Sequence, residues 1–155
     1  MATATAKAKS SKESTRSRRT RRTGRRDPLA IQLLKKDHRE VEGWFDEYEQ
    51  LEGEDEKQAL FAQIAQALKV HTQIEEEIFY PEERNEVEDD TLDEAYVEHD
   101  GAKKLIAEIE AMEPDEAFYD AKVKVLGEYI KHHVKEEEHP GGIFSQAKKG
   151  CLLYT

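Results

Sequence analysis

The chain is poor in cysteine, proline, aromatics and long apolar runs, and each shortage excludes something. Cys151 is the only cysteine in 155 residues. No disulfide can close within the chain, and no cysteine-built zinc site can exist. No apolar run approaches the roughly 20 residues that a membrane helix needs, and no secretory apolar region is visible. Without disulfides or a membrane segment, a cytoplasmic location is expected. Aromatics amount to 8%, and little of the chain alternates as a strand would. Glu, Lys, Ala, Leu and Gln dominate instead, and these favour helix.

The charge is unevenly spread. Residues 1–26 carry ten Lys/Arg against one Glu, whereas residues 27–155 carry fourteen against 34 acids, giving −11 overall. The first segment has no large apolar residue, so it cannot bury a core and is expected to be a disordered basic tail. Three roles compete for it: solvation alone, nonspecific contact with nucleic acid or acidic surfaces, and a transit peptide. The last ranks lowest, because no apolar residue builds an amphipathic face.

From Asp27-Pro28, a capping residue followed by a proline suited to a first helical turn, apolar positions recur at helical spacing. The first stripe is Ile31, Leu34, His38, Val41, Phe45 and Tyr48. Gly53-Glu54-Asp55 interrupts it. The second is Leu60, Ile64, Leu68, His71, Glu75 and Ile78, ended by Pro81 and Asn85. The third is Leu92, Ala95, His99, Ala102, Ile106 and Ile109. Pro114-Asp115 opens the fourth: Phe118, Ala121 or Lys122, Val125, Tyr129, His132 and Glu136, stopped by Pro140-Gly141-Gly142. Four helices with short connections predict an all-α, antiparallel up-down-up-down four-helix bundle over residues 27–140. Residues 141–155 read as a C-terminal tail, with Ile143, Phe144, Leu152 and Leu153 available to pack on the bundle end.

Four of the six histidines fall on these stripes, one per helix. Glu75 follows His71 by four residues and Glu136 follows His132 by four, so each pair shares a helix face. His38 to His71 and His99 to His132 are both 33 residues apart, and the constellation repeats after 61. The midpoints of these pairs fall in or beside the predicted turns, which places all four imidazoles in one layer. A lone histidine on an apolar stripe is ordinarily a core residue. Four beside two carboxylates are different, because burying two unpaired carboxylates costs several kcal/mol each. Two divalent cations offset that charge. Imidazole with carboxylate oxygen and no sulfur suits iron or manganese, with zinc as an alternative. Six protein ligands leave positions open for a small ligand such as O2, peroxide or NO. The predicted metal ligands are therefore His38, His71, Glu75, His99, His132 and Glu136. His133 with Glu137 is the alternative to His132 with Glu136. The repeat and the stripe through Val125 and Tyr129 favour the latter. Glu76, Glu77, Glu137 and Glu138 read as a charged outer face, and His139 as a surface residue.

At these residues the sequence resembles the hemerythrin-like (histidine–histidine–glutamate cation-binding) domains. The matching segments are Lys36-Asp37-His38, His71 through Pro81 (HTQIEEEIFYP), Glu98-His99-Asp100 and Tyr129 through Glu136 (YIKHHVKE). The resemblance implies a non-haem di-iron centre (Fe2+/Fe3+) bridged by Glu75, Glu136 and usually an oxo or hydroxo group, with the four histidines as terminal ligands. Oxygen-carrying hemerythrins have a further histidine four residues after the third, where this chain has Lys103. The expected function is to bind or sense O2, iron or NO, with any output passing through a protein partner. The alternative is an enzyme acting on peroxide or NO in stress defence.

Overall fold

The computed structural model describes residues 26–153, with side chains through residue 150. The basic segment expected to be disordered thus lies almost wholly outside the described residues. Five helices are present, and no strand occurs among the described residues. They are α1 (Leu29–Tyr48), α2 (Glu54–Ile74), α3 (Asp89–Glu110), α4 (Tyr119–Glu138) and α5 (Ile143–Leu153). The first four pair as two antiparallel hairpins, α1 with α2 and α3 with α4, closed into a bundle by α1 against α4 and α2 against α3.

The helix starts follow elementary rules. Glu54, Asp55 and Glu56 occupy the first turn of α2, and Asp89 and Asp90 that of α3, where carboxylates complement the helix dipole. Asp27 makes no cap. Instead it pairs with Lys35 at 2.9 Å and with Lys148 of α5, tying the head of α1 to the C-terminal helix. Those two lysines, Lys148 foremost, hold its carboxyl below the usual range.

α2 does not stop at Ile74. It continues through a π-helical turn, Glu75–Phe79, into one further turn, Tyr80–Glu83. The extra residue of a π turn rotates everything after it. Ile78, predicted on the inward stripe, is therefore exposed, and Phe79 and Tyr80 are buried in its place.

The fourth helix departs most from expectation. It begins not at Pro114 but at Tyr119, after Phe118 adopts a left-handed conformation at φ 74°. Phe118, Val125 and Tyr129 face solvent, and the buried stripe is Tyr119, Val123, Leu126, Ile130, His133 and Glu137, one residue further along. The sequence pattern was degenerate under that shift. Phe118-Tyr119, Val125-Leu126, Tyr129-Ile130 and His132-His133 each offer a similar residue at both positions. Close approach of α1 selects one of them. A Cβ on Gly127 would stand 3.0 Å from the Phe45 ring, so glycine here lets α1 and α4 approach without displacing that ring.

Two apolar clusters result. The larger contains Val41, Phe45, Phe61, Ile64, Leu68, Ile106, Leu126 and Ile130 among others. The smaller contains Ile31, Leu34, Phe79, Tyr80, Leu92, Ile143 and Phe144. The C-terminal segment is a helix, and its Ile143, Phe144 and Ala147 roof the bundle. Gly142 makes the turn into it, where a Cβ would meet the Glu136 carbonyl oxygen at 2.2 Å.

Candidate metal centre

The polar layer lies between the two clusters. Leu34 and Val41 flank His38 from opposite clusters, and Ala95 and Ala102 do the same for His99. Six side chains converge there with exposures of 6% or less: His38, His71, Glu75, His99, His133 and Glu137. Four of the six predicted residues are thus brought together. The other two are not. His132 is 60% exposed and Glu136 50% exposed. The one-residue register of α4 puts His133 and Glu137 inside instead. Glu136 looks into a cleft of about 250 Å³ that reaches His133 and Glu137 from the surface, with Glu88, Glu94 and Glu98 on its walls.

Each imidazole is aimed by a carboxylate on its Nδ1. Glu138 stands 2.8 Å from His38, Asp37 3.4 Å from His71, Glu76 3.0 Å from His99 and Glu98 2.7 Å from His133. All four carboxylates are half-buried. An Nδ1–H donated outward leaves the Nε2 lone pair facing inward, the arrangement that prepares histidine as a ligand. The Nε2 atoms meet in pairs, His38 with His71 at 3.0 Å and His99 with His133 at 3.0 Å. Glu75 spans the pairs, with Oε1 3.1 Å from His71 Nε2 and Oε2 3.3 Å from His99 Nε2. Glu137 Oε2 lies 3.3 Å from His38 Nε2 and 3.5 Å from His133 Nε2.

Two buried oxygens have no hydrogen-bond partner among the described residues, Glu75 Oε1 and Glu137 Oε2. Each such atom costs on the order of 1–3 kcal/mol or more if left bare. Both face imidazole nitrogens, so the donor set fits cations. His38, His71, Glu75 and Glu137 form one group able to hold an ion, and Glu75, His99 and His133 a second.

Without cations, protons take part of their place. Burial disfavours the His133 imidazolium, but Glu98, Glu137 and Glu75 outweigh it and raise its pKa to about 9. His71 is raised against burial by Glu75, Glu137 and Asp37. Burial pushes the Glu75 carboxyl up, and the imidazoles of His71, His99 and His133 hold it well below its usual range.

Tyr80 and the aiming carboxylates are the residues that sequence reasoning missed. The Tyr80 hydroxyl donates to Glu137 Oε1 at 2.7 Å and lies 3.4 Å from Glu75 Oε2 and 3.5 Å from His99 Nε2. Its burial depends on the π turn, which no periodicity announces. The carboxylates did leave a signal. Asp37-His38 and Glu98-His99 are acid–histidine pairs, and Glu76 and Glu138 each follow an inward glutamate. Tyr48 and Tyr129, both on predicted inward stripes, do not reach the site. Tyr48 donates to Asp120 at the far end of the bundle, and Tyr129 is exposed. Lys103 binds Glu76 at 2.6 Å and so braces His99.

A family model described as "Hemerythrin HHE cation binding domain" matches residues 29–140. The chain belongs to this family, a helical bundle with a buried histidine–glutamate cluster suited to metal ions. It is also 29% identical over 114 residues to a protein named DNA nickase from Nostoc sp. (strain PCC 7120 / SAG 25.82 / UTEX 2576). That match covers 74% of this chain and 32% of the relative, so the chain spans about a third of it. No solved structure matches the chain. No helix among the described residues is long and apolar enough to cross a membrane.

Proposed function

We propose that the protein holds two iron ions and binds or senses a small ligand, O2 or NO, at their open positions. The observation that carries this reading is the pair of buried, unpartnered carboxylate oxygens facing four outwardly braced imidazoles. His38, His71 and Glu137 would hold one ion and His99 and His133 the other, with Glu75 between them. Iron in such a mixed nitrogen–oxygen shell supplies redox chemistry and open positions for a diatomic ligand. The chain's own residues do the rest. The aiming carboxylates orient the imidazoles. The aliphatic walls of Val41, Leu68, Ile130 and Val134 exclude bulk water, and a cavity of about 20 Å³ against the four imidazoles has room for one water-sized molecule. The acidic cleft beside His133 and Glu137 attracts cations to the layer.

Metal analysis of anaerobically purified protein, followed by absorption spectra on adding O2 and then peroxide, tests the proposal. Two iron per chain and a reversible spectral change with O2 are expected. Repeated peroxide consumption would shift the function to catalysis, and stoichiometric zinc with a silent spectrum would reject the redox role.

A second role rests on charge. The basic residues of positions 1–26, beside a relative named for action on DNA, support nonspecific contact with nucleic acid. Mobility shifts with duplex DNA, strong for the full chain and lost without residues 1–26 or at raised salt, would bear this out.

A further inference from the structure

Four of the large apolar side chains left exposed lie along one seam, between α1 and α2. Leu33 is 54% exposed, Val70 45% and Ile74 40%, and Ile78, turned outward by the π turn, 61%. Two stretches of groove follow the seam. One, of about 320 Å³, is lined by Ala30, Leu33, Ile74 and Ile78, and the other, of about 390 Å³, by Trp44, Ala67 and Val70. Asp37 lines both, so they are continuous. From Ala30 to Trp44 the groove follows α1 for about 20 Å, at about 1.5 Å per residue.

The carboxylates of this groove have no basic neighbours in it. Asp37, Glu82 and Glu83 line the first stretch and Asp37 and Glu40 the second, and neither is lined by a lysine or arginine. Burial, together with Glu86 and Glu82, pushes the Glu83 carboxyl up. Elsewhere on the bundle acids meet cations, as Asp120 meets Lys57 and Glu110 meets Lys69.

We propose that this groove docks one amphipathic helix of a partner protein, apolar on its buried face and carrying lysine or arginine along its edges. Contiguous exposed apolar surface marks an interaction site. An elongated groove between two helices accepts a helix of about four turns, and the acidic rim selects the sign of its charge. The chain's own residues 1–26 have the charge but no Leu, Ile, Val or aromatic residue to fill the groove. A second copy would present the same acidic rim and be repelled by it. The docked helix lies against Asp37, the brace of His71, and against the turn that carries Glu75. The surface is present whether or not the layer holds metal.

The test uses the full chain and a fluorescein-labelled helical peptide of leucine and lysine, about 14 residues long, with its leucines on one face. Fluorescence anisotropy should show binding to wild type. Leu33→Gln and Ile78→Gln, at exposed helical positions, should weaken it about tenfold or more. Glu82→Gln should weaken it less and flatten its salt dependence. Val97→Gln, on the exposed face of α3, should bind as wild type does. A photo-crosslinker on the peptide's apolar face should mark α1 and α2 of wild type, a result that needs no variant. Equal binding by a lysine–glutamine peptide without leucine would overturn the proposal, because net charge alone would then explain the attraction. Preference for a leucine–glutamate peptide, crosslinks on other helices, or no binding at all would also overturn it. If wild type is a dimer that Ile78→Gln dissociates, the groove belongs to a second copy and the proposal is likewise overturned. None of these outcomes touches the metal reading, which the iron analysis above decides.

Discussion

The two halves of the centre are built alike and finished differently. In one, His38 and His71 are braced by Glu138 and Asp37 and roofed by Phe144. In the other, His99 and His133 are braced by Glu76 and Glu98 and roofed by Tyr80. The bracing follows one rule. The acid just before the histidine of α1 or α3 serves the histidine of the next helix, as Asp37 serves His71 and Glu98 serves His133. The acid just after the inward glutamate of the π turn or of α4 serves the opposite hairpin, as Glu76 serves His99 and Glu138 serves His38. The likeness follows the spacing of the two hairpins, 61 residues from Asp37 to Glu98 and 62 from Glu76 to Glu138. The difference sits at the π turn that buries Tyr80; the bracing acids are clamped alike, Glu76 by Lys103 and Glu138 by Arg39. Likeness therefore provides one layer of inward imidazoles and carboxylates suited to metal ions, and the π turn sets a buried hydroxyl within it.

The comparison breaks most completely at the residue both halves share. Glu75→Ala should strip most metal from both positions, whereas Glu77→Ala, on the exposed face, should keep wild-type content. Equal content in the two would remove Glu75 from between the ions. His133→Ala should lower content toward one ion per chain while His132→Ala leaves it unchanged. The reverse result would restore the register read from the sequence.

Smaller changes sharpen the contrast between the halves. Glu98→Gln and Asp37→Asn each weaken an imidazole brace, which typically costs about 10–100-fold in metal affinity. Glu98 stands closer to its histidine than Asp37 does, 2.7 Å against 3.4 Å. The larger loss should therefore follow Glu98→Gln, as read by competition with a metallochromic chelator.

The pH response carries a definite sign. The His133 pKa of about 9 in the metal-free fold is above its ordinary 6.5. Its protonation stabilises the empty protein fully below pH 6.5, and that contribution is lost as pH rises through about 9. Cations require the unprotonated imidazole. The gap in melting temperature between loaded and chelator-treated protein should widen across this window. A constant gap would mean that His133 does not hold the proton.

Gly127→Ala separates the fold from the centre. The new Cβ would press on the Phe45 ring at 3.0 Å, and overpacking of this kind costs about 1–3 kcal/mol. Denaturant unfolding should register that loss, while metal stoichiometry stays at its wild-type value because Phe45 lies below the layer.

Much of this was legible without coordinates. The stripes of α1 and α3 coincide residue for residue with their buried faces, so His38 and His99 are buried as expected, as are His71 near the end of α2 and Glu75 at the start of the π turn. In α1 a shift of one residue toward the C-terminus would bury Lys35, Arg39, Glu42 and Asp46, and in α3 it would bury Asp93, Asp100, Lys103 and Glu110, so the pattern admits one register. In α4 the neighbours are themselves apolar or histidine, so a shift of one residue left the pattern equally good. The apparent repeat of 61 then tipped the reading toward His132 and Glu136. The chain's own bracing pattern favours a repeat of 61 for α1 to α3 and 62 for α2 to α4, matching Glu76 to Glu138 and Glu75 to Glu137.

The amino-acid sequence by itself determined that this is a helical bundle of the hemerythrin family carrying histidines and glutamates on inward faces. Helical periodicity is local and survives in the one-dimensional pattern. Tertiary structure alone decided which of two adjacent histidines turns inward and that a tyrosine joins the layer. Those outcomes depend on a left-handed residue at Phe118, the contact of Gly127 with Phe45, and a π turn after Ile74. Each is a rotation of about one residue, or roughly 100° about a helix axis. Only packing against the other helices resolves it.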